Sequence, residues 1–187
     1  MQPWMIAILV VSLVLIAAAA AWFVHDRRRS MRLREHFGPE YNRAILGTGS
    51  RRQAEAELAR REALAKELRN RPLHPADRDR FLAEWKMCQA QFVDDPAAAV
   101  DRADQLLVEI MRTRGYATDN PYERMTDIAA AYPYHAAKYR EAGEILTRHR
   151  HAEASTEELR TAFLHFRTLF DDLLGGRDEE LRQTSAA

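Results

Sequence analysis

The chain contains 187 residues, of which 47% are hydrophobic, and its 28 Lys and Arg residues balance 28 Asp and Glu residues. The single cysteine, Cys88, excludes an intrachain disulfide and a metal site built from several cysteines. Charge is unevenly distributed, because residues 25–34 contain five Arg against one Asp, whereas residues 35–187 contain 23 basic against 27 acidic residues. The larger part is therefore mildly acidic, which argues against a nucleic-acid-binding protein.

The first predicted element is a transmembrane helix over residues 1–24. Pro3 to Val24 form 22 consecutive uncharged positions. At about 1.5 Å per residue, such a helix can cross a hydrocarbon core of about 30 Å. Trp4 and Trp22 lie near its two ends, where indole rings favour the membrane–water interfaces. The sequence therefore predicts a single-pass protein in a lipid bilayer.

Two further interpretations concern the same segment. A signal peptide cleaved near residue 21 would release a secreted helical domain, although the apolar run exceeds the roughly 7–15 residues of a signal peptide core. Ala17 and Ala21 are small and four positions apart, which would let two membrane helices approach closely and form a homodimer.

A basic juxtamembrane segment follows over residues 25–38. It contains five arginines, which we call the collar: Arg27, Arg28, Arg29, Arg32 and Arg34. Short flanking segments rich in Lys and Arg stay in the cytoplasm, so the amino terminus is expected outside and the remaining domain at the inner face of the cell membrane. The collar would also attract anionic lipid headgroups.

Residues 39–70 are predicted to form a polar helix or stalk, which the glycines of the 47–50 segment interrupt. A heptad seam is formed by Ala54, Leu58, Ala65 and Leu68, with Arg61 between them. Two interpretations stay open at this point, a coiled coil that pairs two copies and a solvated linking helix.

Residues 71–174 are predicted to form an antiparallel bundle of four to five helices, followed by a disordered tail over residues 175–187. Prolines and capping residues mark the helix starts, among them Asp95-Pro96 and the capping box of Ser155 and Glu158. In one helix, Phe81, Trp85, Cys88, Gln89 and Phe92 recur at the spacing of a buried face. The predicted fold class is all-α.

The sequence contains no recognisable catalytic, cofactor or metal motif, and its seven histidines lack zinc-ligand spacing. Cys88 is predicted to be buried and inert. A basic and aromatic interaction surface is predicted at Lys138, Arg140, Arg148 and Arg150. A pocket between bundle helices would instead use Tyr116, Tyr132, Tyr139 or His135.

Several ordered motifs resemble an uncharacterised family of bacterial single-pass membrane proteins with a helical cytoplasmic domain. They are Leu33–Tyr41, Phe92–Pro96, Met111–Tyr116 and Ala154–Arg160. The resemblance implies a bacterial protein and supplies no catalytic or binding residue. The expected function is a non-enzymatic helical interaction or scaffold module with an unidentified protein partner. A small-ligand sensor or enzyme is the alternative.

Overall fold

The computed structural model describes residues 3–151 and 153–175, with side chains from residue 12 onward. This described part is helical throughout and contains no strand, which confirms the all-α prediction. The helices are α1 (Pro3–Phe37), α2 (Pro39–Thr48), α3 (Arg51–Asn70), α4 (Pro75–Asp94), α5 (Pro96–Arg114), α6 (Pro121–Ala131), α7 (Pro133–Arg150) and α8 (Thr156–Leu173).

Most helix starts follow from proline, which fixes a helical φ and lacks an N–H that the first turn would leave unpaired. Proline occupies the first position of α2, α4, α5, α6 and α7. The side chains of Asp95 and Asn120 cap α5 and α6 by accepting backbone N–H groups. The predicted capping box of Ser155 and Glu158 at α8 is confirmed, with both reciprocal hydrogen bonds present.

The chain divides into two compact units, Met1–Ala56 and Glu57–Ala187. In the first unit, α1 and α2 pack together across a turn at Gly38, whose φ of 54° favours glycine. Leu33, Phe37 and Tyr41 are buried there. The helix that carries the collar therefore ends in a small packed unit.

The polar segment forms two helices, because α2 ends at a left-handed Gly49 with φ 67° and α3 begins two residues later. All four residues of the predicted heptad seam are buried within the chain. Arg61, between them, donates to Glu57 and, over 3.0 Å, to Asp127 of α6. The chain's own fold thus accounts for the apolar seam without a second copy.

The second unit is a helical bundle, as predicted, in which α4 packs on α5, α5 on α8, α8 on α7 and α7 on α6. Trp85 of α4 stacks against Phe163 and Phe170 of α8, with ring centroids 5.0 and 4.5 Å away. The predicted buried face of α4 is correct for Phe81, Trp85 and Cys88. It is wrong for Gln89, which is exposed, because the packed face of α4 is narrower than the predicted stripe.

Arg114, the last residue of α5, joins the ends of two other helices. Its side chain is buried, and its Nη1 donates to the carbonyl oxygens of Leu68, Arg69 and Arg71 at the end of α3. Its Nε donates to the carbonyl oxygen of Leu173 at the end of α8, over 2.6 Å. A cation at a helix carboxyl end also stabilises the helix dipole.

Residues 12–24 of α1 are exposed on every side of the helix, Trp22 among them. The side chain of Trp4 and the predicted tail beyond Gly175 lie outside the described residues. Across the part of the chain that is described, no helix combines the length and the apolar character needed to cross a membrane.

Candidate functional site

A buried carboxylate holds the three helices of the first unit together. Glu55 of α3 is only 6% exposed, and its Oε1 accepts hydrogen bonds from Ser30 Oγ of α1 at 2.6 Å and Tyr41 Oη of α2 at 2.7 Å. The Nε of Arg51 donates to the same oxygen over 2.8 Å, and its Nη2 donates to Ser30 Oγ. We call these four residues the Glu55 network.

Hydrogen bonding decides the charge of this network. Burial acts to raise the pKa of Glu55, but the hydrogen bonds from Ser30, Arg51 and Tyr41 outweigh burial and hold that pKa below its usual value. Burial and the neighbouring carboxylate raise the pKa of Tyr41. Glu55 is therefore ionised at neutral pH, and Tyr41 keeps its proton and acts as a donor.

A surface pocket of about 380 Å³ adjoins the network. It is lined by Arg27, Ser30, Met31, Arg34, Tyr41 and Arg51. The four α1 positions recur at spacings of three and four residues, so they lie on one face of that helix. Three of the six residues that line the pocket are arginines, and Glu55 pairs with one of them, Arg51. The remaining positive charge of Arg27 and Arg34 makes the pocket a candidate anion-binding site.

The collar divides between this pocket and the rest of the helix surface. Arg27 and Arg34 line the pocket, because residues seven apart share a helix face. Arg28, Arg29 and Arg32 are exposed and are not among the lining residues. Sequence reasoning missed Arg51, which reaches the pocket only because the chain reverses at Gly38 and Gly49.

The predicted interaction surface on α7 is largely engaged within the second unit. Arg148 Nη1 lies 2.6 Å from Glu158, and Arg150 Nη2 lies 3.1 Å from Asp101. The ammonium group of Lys138 lies 4.8 Å above the exposed ring of Tyr134, whereas Arg140 is half-buried. The proposed role of these four cations in binding stays a prediction.

The side chains predicted to line a pocket between bundle helices fall into two places. His135 and Tyr132 are neighbours, with ring centroids 6.5 Å apart, and His135 Nε2 lies 2.6 Å from Asp172 Oδ2. Tyr139 is separate and donates to Asp104 over 2.8 Å. Burial raises the pKa values of Tyr116, Tyr132 and Tyr139, so these phenols keep their protons at neutral pH and do not act as bases.

A second pocket, of about 370 Å³, lies between α4 and α5 and is lined by Glu84, Met87, Cys88, Gln91 and Arg102. Cys88 is buried, as predicted. Burial raises the pKa of its thiol, Arg102 lowers it and Glu84 raises it again, with a net increase. The thiol is therefore protonated at neutral pH and is a poor nucleophile.

Among the described residues, no group of three or more His, Cys, Asp or Glu side chains is arranged to hold a metal ion. Comparison with protein-family models, with curated proteins and with solved structures finds no match to this chain. The resemblance of its motifs to a bacterial membrane-protein family stays a prediction.

Proposed function

We propose that this chain is a single-pass membrane protein whose helical domain is a non-enzymatic interaction or scaffold module at the inner face of the bacterial cell membrane. The observation that carries the proposal is the exposure of residues 12–24 around the whole circumference of α1. An apolar helix surface of this extent suits hydrocarbon rather than water. In the sequence, it continues an uncharged run that starts at Pro3, which makes the run about 33 Å long at about 1.5 Å per residue.

Alkaline carbonate extraction of cell membranes tests the anchor with a matched pair of variants. L13R/V14R places two charges at the centre of the apolar run, where each costs about 2.5–3.5 kcal/mol. L46R/V93R makes the same two substitutions at positions that are 84% and 82% exposed and lie outside the run. We expect the unmodified chain and L46R/V93R to stay in the pellet and L13R/V14R to leave it. Release of the unmodified chain would refute the anchor.

The interaction role is supported by the basic and aromatic surface at Tyr134 and Lys138. Crosslinking in intact cells tests this role. A specific partner should be captured by the full chain, lost when residues 75–174 are deleted, and weakened by Y134A/K138A. Capture that survives the deletion would place the interaction outside the bundle.

A second candidate function, a small-ligand sensor, is favoured by the cavity beside Cys88. Filling it with M87W should abolish any ligand-induced rise in melting temperature of the full chain in detergent. A rise that M87W leaves unchanged would contradict this candidate.

A further inference from the structure

The pocket beside the Glu55 network differs from a diffuse basic surface, because contacts within the chain hold part of its wall in place before any ligand arrives. Arg51 is held by Glu55 and Ser30, and Tyr41 is held by the same carboxylate. The guanidinium carbon of Arg27 lies 4.9 Å from the ring centroid of Phe23, which also orients it. Preorganised donors bind an anion with less loss of side-chain freedom.

The composition of the pocket suits a phosphate group attached to an apolar body. Planar guanidinium groups form paired hydrogen bonds to phosphate oxygens, and Ser30 and Tyr41 add hydroxyl groups to the wall. Met31, which is exposed, supplies an apolar contact on the same wall. A volume of about 380 Å³ lies in the range of small-ligand sites, about 300–1,000 Å³.

The position of the pocket along α1 points to a lipid as the source of that phosphate. With about 1.5 Å of rise per residue, Arg27 lies about 5 Å and Arg34 about 15 Å beyond Val24, the last residue of the uncharged run. The polar headgroup layer of a bilayer begins at the hydrocarbon boundary and is about 5–8 Å thick on each side. Arg27 would therefore lie within the headgroup layer and Arg34 on its aqueous side, so a lipid phosphate would enter the pocket from the end that Arg27 lines.

We propose that Arg27, Arg34 and Arg51 bind the phosphate of one anionic phospholipid, with Ser30 and Tyr41 as hydroxyl contacts. The proposal rests on the membrane anchor proposed above. In this proposal, Arg27 and Arg34 contact the lipid phosphate, whereas Arg28 and Arg29 do not. Residues one and two positions apart point about 100° and 200° away around a helix, whereas residues seven apart differ by about 20°.

Native mass spectrometry of the full chain in non-ionic detergent tests the site. The probes are phosphatidylglycerol and phosphatidylcholine with identical acyl chains, added in equal amounts, and inorganic phosphate. Both lipids carry a phosphate, but only phosphatidylglycerol has a net negative charge. Two or three arginines at about 1 kcal/mol each should therefore retain one phosphatidylglycerol about 30-fold or more over phosphatidylcholine. Inorganic phosphate at millimolar concentration should not displace it.

Two variants that remove equal charge provide the comparison. R27Q/R34Q should reduce the preference for phosphatidylglycerol to near unity, whereas R28Q/R29Q should retain most of it. Equal losses in both variants would show diffuse attraction to the collar and overturn the proposal. Displacement by inorganic phosphate would assign the pocket to a soluble anion and overturn the lipid source.

Folding and anchoring are separated from lipid selectivity by two further measurements. Arg27 and Arg34 are exposed, so R27Q/R34Q should keep the melting temperature of the unmodified chain. If R27Q/R34Q has a lower melting temperature than the unmodified chain, the single variants R34Q and R28Q repeat the comparison with one charge removed in each. A chain that stays in the membrane pellet but shows no lipid preference refutes this site alone, whereas a chain that leaves the pellet refutes the anchor.

Discussion

Two carboxylates in this protein accept hydrogen bonds from separate segments of the chain. Glu55 accepts from α1, α2 and its own helix, and Asp127 accepts from Arg61 of α3 and from the backbone N–H of Ala117. Such carboxylates are sensitive to the loss of a single partner, because the remaining charge stays buried without compensation. Their energetics therefore depend on tertiary structure.

Glu158 provides a pH-dependent test at this scale. The backbone N–H of Ser155 donates to its carboxylate over 2.8 Å, and Arg148 and the Ser155 hydroxyl add further contacts, which together lower its pKa to about 2 from an ordinary 4.5. Since the unfolded chain binds the proton more readily, stability from this group is complete above about pH 4.5 and is lost as pH falls toward about 2.

We expect E158Q to differ most from the unmodified chain above pH 5 and to converge with it near pH 2. Glutamine can maintain the capping box but cannot titrate. The measurement is thermal unfolding of both full chains in non-ionic detergent across that pH range. A difference in melting temperature that is constant with pH would contradict the assigned pKa.

The hydrogen-bonded role of Glu158 could be predicted from the sequence, whereas that of Glu55 could not, because the partners of Glu55 are distant along the chain. The capping box spans three residues and can be recognised in any sequence. The partners of Glu55 in α1 and α2 lie 25 and 14 residues away, so nothing in the local pattern distinguishes Glu55 from the other glutamates of α3. The same reason hid Arg51 as a wall of the pocket.

At the scale of helices, the bundle depends on how helix ends are satisfied. Arg114 donates to four carbonyl oxygens at the ends of α3 and α8, which no helix can pair internally. The planar guanidinium spreads five N–H donors over three nitrogens, whereas an ammonium group has three donors on a single nitrogen. Arg114 thus fixes where three helices end relative to one another.

We expect R114K to lower the free energy of unfolding by about 1–3 kcal/mol, because a single ammonium nitrogen cannot reproduce the donors at the ends of both α3 and α8, among them the buried bond to the Leu173 carbonyl. The control is R112K on the same helix, where the side chain is 61% exposed and a change below about 0.5 kcal/mol is expected. Urea denaturation followed by circular dichroism gives both values. Equal effects in the two variants would mean that the buried contacts contribute nothing.

The aromatic stack between α4 and α8 provides a second test of helix packing. W85A removes the ring that contacts Phe163 and Phe170 and should cost about 3–5 kcal/mol. W22A removes the same side chain from an exposed position on α1 and should leave bundle unfolding unchanged. Similar losses in urea denaturation would contradict the assignment of Trp85 to the core.

Helix starts and core stripes were predictable because proline, capping residues and apolar spacing are local signals. The heptad seam was ambiguous, since a helix face that packs within its own chain has the same pattern as one that pairs with a second copy. Only the burial of Leu58 and Ala65 and the contact of Arg61 with Asp127 distinguish the two.

At the scale of the whole molecule, the proposed orientation depends on the collar. Replacing all five collar arginines with glutamine removes the positive charge that keeps a flanking segment in the cytoplasm. We expect carboxy-terminal fusions of the unmodified chain to be active with green fluorescent protein and inactive with alkaline phosphatase. The variant with all five arginines replaced should show activity of both reporters. An unchanged orientation would refute the role of the collar.

The continuity of α1 has a mechanical consequence. Because α1 is one helix from Pro3 to Phe37, an axial slide of its apolar half moves Ser30 by the same amount. A slide of one residue moves Ser30 by about 1.5 Å. The hydrogen bond from Ser30 to Glu55 is 2.6 Å long and would pass the usual limit of about 3.2 Å after a smaller displacement than that. In the proposed anchor, bilayer thickness sets the depth of α1. A thinner or thicker bilayer would therefore strain the contacts of Ser30 with Glu55 and Arg51 unless α2 and the start of α3 move together with α1.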